Sequence, residues 1–222
     1  MSRRATTHPE TREARRARKQ ARILTAARAL LRRHGHERLS LRDVARRAGL
    51  SPAGMYEFFD AREHLVATLG GEASARLSRR LRAATRDTPD PVERLVRLGL
   101  AYIRFAQERP ADFRLLFGRR STRRSLVEAV PEHSEYAEIT AALADVLQVG
   151  RPGGADPGIL EVLAYGFWSS IHGMAVLQIT HLAGFGADFA TAHRLLLENT
   201  ARSWQRADWA RVADSTDHPG ER

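Results

Sequence analysis

The chain has 222 residues, 43% hydrophobic and 28% charged, enough for a soluble protein with a core in one domain or two small ones. It has no cysteine, which excludes disulfide scaffolds, thiolate metal sites and cysteine nucleophiles. Basic side chains outnumber acidic ones 36 to 26, and all but Lys19 are arginine. The excess is uneven: residues 1–65 carry 16 basic against 7 acidic side chains, and the remainder 20 against 19. A positive block of that size points to a polyanion, most often nucleic acid.

Along the chain helical periodicity recurs and strand signals are nearly absent, so the predicted fold is all-α. Residues 1–19 read as a flexible basic arm with Arg3, Arg4, Arg12, Arg15, Arg16, Arg18 and Lys19. No apolar stretch of signal length follows. Ile23, Ala26, Ala27, Leu30 and Leu31 then form one helical stripe, closed by Gly35. Ser40-Leu41-Arg42-Asp43 is a serine cap with an acid three residues on. It opens a short helix through Val44, Ala45 and Ala48 that stops at Gly49. Ser51-Pro52 restarts the chain with a cap and a proline at the first helical position. This third helix is expected to reach Phe58, and a longer one runs from Arg62 to Thr85. Two short helices joined by a glycine turn have the layout of a helix-turn-helix, whose second helix enters the major groove.

Thr88-Pro89-Asp90-Pro91 marks a boundary. Leu95, Leu98, Tyr102, Ile103 and Phe105 face a core in the next helix, which Pro110 ends; Ala111 to Phe117 forms a short apolar helix. Residues 122–148 are expected to be helical with a break at Pro131, and 150–158 read as a glycine-rich loop. Helices 159–183 and 187–206 close the fold, and 208–222 read as a disordered tail. The uncharged stretch from Val162 to Ala187 is polar for a membrane span, so no membrane partner is expected and the location is cytoplasmic.

The segment Ile23-Leu24-Thr25-Ala26-Ala27, Gly35, Ser40 to Ala45, Ala48-Gly49-Leu50-Ser51, Met55 to Phe59 and Arg62-Glu63 resembles the N-terminal domain of TetR-family transcriptional regulators. The later Trp168 to Gly173 resembles the tryptophan–histidine–glycine signature of one subgroup. The resemblance implies a homodimer with two DNA-reading heads and a small-molecule pocket in each C-terminal half. The domains are then an arm (1–19), a DNA-binding domain (20–66, motif 40–59) and a ligand-binding and dimerisation domain (67–207).

Carried over by position, the resemblance implies contacts with a double-stranded operator from Ser40, Arg42, Ser51, Pro52, Ala53, Gly54, Tyr56 and Arg62. The Arg42 guanidinium suits guanine, the Tyr56 hydroxyl a phosphate with its ring packed inward, and Arg62 a phosphate. Gly54, Glu57 and Phe58 depart from the residues common at those positions, which leaves the operator sequence open. The arm adds phosphate or minor-groove contacts, or serves only as a solubilising tail.

In the C-terminal half, Tyr102, Phe105, Phe113, Phe117, Trp168, Ile171 and His172 are the candidate pocket residues for an effector, and a packed core is the alternative. His172 lies four residues after Trp168, on the same helix face. Stacking, a structural hydrogen bond and ligand contact are its three possible roles. Helix 159–183 has a second stripe (Val162, Gly166, Ser170, Gly173, Leu177), which the resemblance implies forms a dimer interface with Phe189, Leu196 and Thr200 on helix 187–206; burial within a monomer is the alternative. No cofactor, metal site or catalytic constellation is expected. The reading is a ligand-responsive repressor. A nucleic-acid packing protein without sequence preference is the rival from another class.

Overall fold

The computed structural model describes residues 11–118 and 134–209, and every regular element among them is an α-helix. The helices are α1 (Arg12–His34), α2 (Leu41–Ala48), α3 (Pro52–Tyr56), α4 (Arg62–Thr85), α5 (Pro91–Glu108), α6 (Pro110–Phe117), α7 (Glu135–Leu147), α8 (Pro157–Ile179) and α9 (Phe189–Gln205). The chain divides into two units after Glu72, inside α4, a few residues beyond the expected boundary. Of the expected helical segment 122–148, residues 122–133 with the break at Pro131 lie outside the described residues.

Capping chemistry sets most helix starts. Ser40, Ser51 and Ser134 each accept a hydrogen bond from the backbone N–H three residues on, at 3.1, 3.1 and 3.2 Å. Asp90 and Asp156 cap α5 and α8 by accepting from the backbone N–H two residues on, each followed by a proline that needs no N–H partner.

In the first unit α1, α2 and α3 meet around Ile23, Ala27, Val44, Ala45, Met55 and Phe59, all buried, with Leu65 and Leu69 of α4. Two boundaries differ from expectation. The first is that α1 begins at Arg12, capped by Thr11, so residues 12–19 of the expected arm are helix. The Arg16 guanidinium sits 5.0 Å from the centre of the Phe58 ring, a cation–π contact that anchors this polar extension. The second is that α3 ends at Tyr56, not Phe58, because Met55 O accepts from both Phe58 N and Phe59 N and the chain tightens into a turn.

In the second unit α5 is the central helix, with Leu95, Val96, Tyr102, Ile103, Phe105 and Ala106 all buried. Gly99 permits the closest approach: a Cβ there would stand 2.8 Å from Leu197 Cδ1 of α9 and 3.2 Å from Ile171 Cγ2 of α8. By length and composition α8 could cross a bilayer. Here Ala164, Phe167, Ile171 and Ala175 form its buried stripe in the protein core. Trp209 is also buried, its indole N–H donating to Trp204 O at 3.1 Å, so chain order extends past the expected start of the tail at 208.

Candidate functional site

The two short helices of the first unit are held by local polar contacts. Ser40 donates its hydroxyl to Asp43 Oδ2 at 2.6 Å while accepting from Asp43 N, so both capabilities are used within the cap. The Ser40 hydroxyl and Arg46 hold the Asp43 carboxyl below its usual range. Gly49 ends α2 at φ 65°, in the left-handed region, and a Cβ there would lie 2.9 Å from Arg22 Nη2. That same Arg22 nitrogen donates to Ala48 O at 2.5 Å and closes the C-terminus of α2.

Of the sequence-predicted contact residues, Arg42, Ser51, Pro52, Ala53 and Tyr56 are exposed and Gly54 is half-buried. Arg42 makes no hydrogen bond or ion pair among the described residues. Tyr56 is 61% exposed, which corrects the expectation that its ring packs inward; Met55 and Phe59 take the inward positions. Arg62 is placed differently from expectation. Its Nε donates to Leu39 O at 2.9 Å and its Nη2 to His36 O at 2.6 Å, so the guanidinium ties down the α1–α2 loop.

Sequence reasoning passed over the groove between α1 and α2. It encloses about 700 Å³ and carries Arg18 and Arg22 from α1 with Arg46 and Arg47 from α2. Its signal was present as a row of arginines about one turn apart on α1, but an arm leaves no face for them to share.

The second unit brings together five of the seven predicted pocket residues around His172. Phe113 stacks on the imidazole at 5.2 Å, and Phe117 meets it edge-on at 4.9 Å. The Tyr102 hydroxyl lies 2.9 Å from His172 Nδ1 and 3.2 Å from the Trp168 indole nitrogen. Burial holds the Tyr102 phenol protonated, well above its usual range, and pushes the His172 imidazole below its ordinary value. Phe105 and Ile171 are buried but stand apart: Ile171 faces the Gly99 crossing, and Phe105 makes no ring contact with this cluster. Tyr136 of α7 joins the group unexpectedly, its ring edge-on to Trp168 at 5.8 Å, and its buried hydroxyl has no hydrogen-bond partner among the described residues.

Outside this cluster, the second stripe of α8 is exposed, from Val162 (69%) through Gly166, Ser170 and Gly173 to Leu177 (46%). Tyr165 of α8 and Leu195 and Leu196 of α9 are also exposed. Phe189 departs from the expected interface: it is half-buried and stacks on His193. Thr200 is half-buried, its hydroxyl donating to Leu196 O.

Residues 23–69 match the family model of tetR-family bacterial regulatory proteins, and residues 95–200 match the tetracyclin repressor-like C-terminal domain. Uncharacterized HTH-type transcriptional regulators from two strains of Mycobacterium tuberculosis are 32% identical over 90 residues. That match takes in 40% of this chain and 45% of each relative, so the chain spans less than half the length of these curated relatives. Among solved structures, a Rhodococcus protein of unknown function superposes with a TM-score of 0.66 at 24% identity, over 85% of this chain and 94% of that one. A TetR-family transcription regulator from Marinobacter aquaeolei gives 0.63 at 23%, over 86% and 97%. A TetR-family regulator from Streptomyces coelicolor gives 0.62 at 21%, over 85% and 80%. At these identities the superpositions establish the fold.

Proposed function

The chain belongs to the TetR family of transcriptional regulators, a non-enzymatic DNA-binding family, and we propose that it is a repressor released from a palindromic operator by a small molecule. The observation that carries this reading is the exposure of Arg42, Ala53 and Tyr56 on two serine-capped helices inside the family-matched segment. In this reading Arg42 contacts a guanine edge, the backbone at Pro52, Ala53 and Gly54 approaches the groove, and the hydroxyls of Ser51 and Tyr56 meet phosphates. The basic α1–α2 groove adds sequence-independent attraction. Arg62 and Ser40 act as positioning residues, since their polar atoms are engaged within the fold.

Two copies pair through the exposed apolar faces of α8 and α9, where glycines and serines allow close approach. Such a pair presents two α3 helices to successive major grooves, roughly 34–36 Å apart in the binding state. The effector enters at the aromatic cluster around His172 and shifts the spacing of the heads through α4, which carries residues of both units. A coupling of about 1–3 kcal/mol would weaken the operator complex roughly 5–150-fold. The repressor acts in the cytoplasm, where its operator is.

Footprinting on the DNA upstream of its own gene, with and without metabolite extract, tests the proposal. It predicts a two-fold symmetric protected site that extract clears. Protection that is absent, or unaffected by every extract fraction, counts against operator binding or against effector control respectively.

A further inference from the structure

A cleft between α5 and α9 belongs to neither the nucleic-acid face nor the aromatic cluster. The two helices touch at Gly99 and Leu197. Past that crossing, along Leu100 to Gln107 of α5, they enclose a cleft of about 270 Å³. Its lining joins apolar Leu100, Ile103, Phe189 and Ala190 to polar Gln107 and Thr191, with the buried His193 ring stacked on Phe189 at 6.2 Å. Burial lowers the proton affinity of His193 and favours the neutral imidazole, which adds a polar atom to the wall but no positive charge.

The charge comes from two arginines, and they differ. Arg194 is committed, donating to both oxygens of Glu93 at 3.0 Å. Arg104 is exposed and makes no hydrogen bond or ion pair among the described residues. Glu108, one helical turn along from it, is held by Arg80 through two hydrogen bonds at 2.5 and 2.8 Å. None of the side chains lining the cleft is acidic. A slot with an apolar patch at Ile103 and Phe189 and the Arg104 guanidinium at its edge matches an anion attached to an apolar body.

We propose that this cleft binds a small monocarboxylate, its apolar body between Ile103 and Phe189 and its carboxylate on Arg104. The size restricts the class further. Ligand pockets for drug-sized molecules run from about 300 to 1,000 Å³, so the occupant is compact, such as a single ring or a short chain. The site is independent of the effector assignment to the aromatic cluster, since the two share no residue.

Calorimetric titration of the full chain with benzoate, benzyl alcohol and benzylamine tests this. The expected result is saturable binding of one benzoate per chain, about tenfold or more tighter than benzyl alcohol, with no binding of benzylamine. Arg104→Gln brings benzoate down to the level of the alcohol and leaves the alcohol unchanged. Ala190→Trp, at an exposed position in the first turn of α9, fills the cleft and removes both while the melting temperature holds. Absence of saturable benzoate binding, equal affinity for acid and alcohol, or benzoate affinity that survives both substitutions overturns the proposal. The last outcome would place the ligand elsewhere.

Discussion

Tyr102 has a single hydroxyl proton, and two ring nitrogens face its oxygen. The Trp168 indole nitrogen can only donate, so the Tyr102 oxygen accepts from it. A neutral imidazole protonated on Nε2 accepts the phenol proton at Nδ1, and the other tautomer donates from Nδ1 to the second lone pair of the phenol oxygen. Both tie the His172 and Trp168 rings to one oxygen. Tyr102→Phe strands two partly buried polar atoms and should lower stability by about 1–3 kcal/mol in urea unfolding, with the fold intact by circular dichroism. A change below a few tenths would mean water replaces the hydroxyl at no cost.

The same burial gives a pH dependence with a definite sign. His172 and His193 are both depressed below the ordinary imidazole value of 6.5. As pH falls through 6.5 the unfolded chain takes up protons that the folded chain does not, so stability is lost on acidification, starting near 6.5 and levelling off below the folded values. Glu93, lowered to about 2 chiefly by Arg194 and then Arg97, contributes stability that is lost only at more acidic pH, below its ordinary 4.5. Urea unfolding at pH 7.5 and 5.5 should therefore show the protein weaker at 5.5. His172→Gln should reduce the difference, and a protein stronger at 5.5 contradicts the assignment.

Among the elements, α1 and α3 are where expectation and structure part. The serine caps of α2 and α3, Gly35, Gly49 and the Asp90-Pro91 start of α5 are legible as sequence, because a cap is a local bargain between one side chain and a nearby backbone N–H. The first turns of α1 are not legible in this way. Residues 12–22 have no apolar stripe, and their contacts include the Thr11 cap at one end, the remote Phe58 under Arg16 and Ala48 O under Arg22. The Arg62 clamp is hidden for the same reason: its carbonyl partners come from another segment, through folding. Thr11→Ala should cost about 0.5–2 kcal/mol of local helix stability, read as faster amide exchange in residues 12–16 with little change in the global unfolding midpoint. Unchanged exchange there would show that Arg16 and Phe58 hold the extension without the cap. The aromatic cluster was legible as a set of residues but not as a packed group, since Tyr136 joins it from a helix separated in sequence.

For the whole molecule, the proposed function divides the work along the uneven charge. In that proposal the basic first unit supplies attraction to DNA, and the nearly neutral second unit supplies the apolar faces for a partner copy. Val162→Glu with Leu196→Glu places carboxylates on two exposed apolar surfaces and leaves the core untouched. Sedimentation should show the dimer shifted to monomer, with operator affinity falling in parallel. A variant that remains dimeric would move the interface away from α8 and α9. The central claim is that the exposed side chains of α2 and α3 read sequence. Its most direct measurement is the ratio of affinities for the footprinted operator and a random duplex of equal length at one salt concentration. The expected ratio is at least about 10³, reduced roughly tenfold or more by Arg42→Ala. A ratio near one, with Arg42→Ala weakening both duplexes equally, would contradict it and make the protein a binder of DNA charge alone.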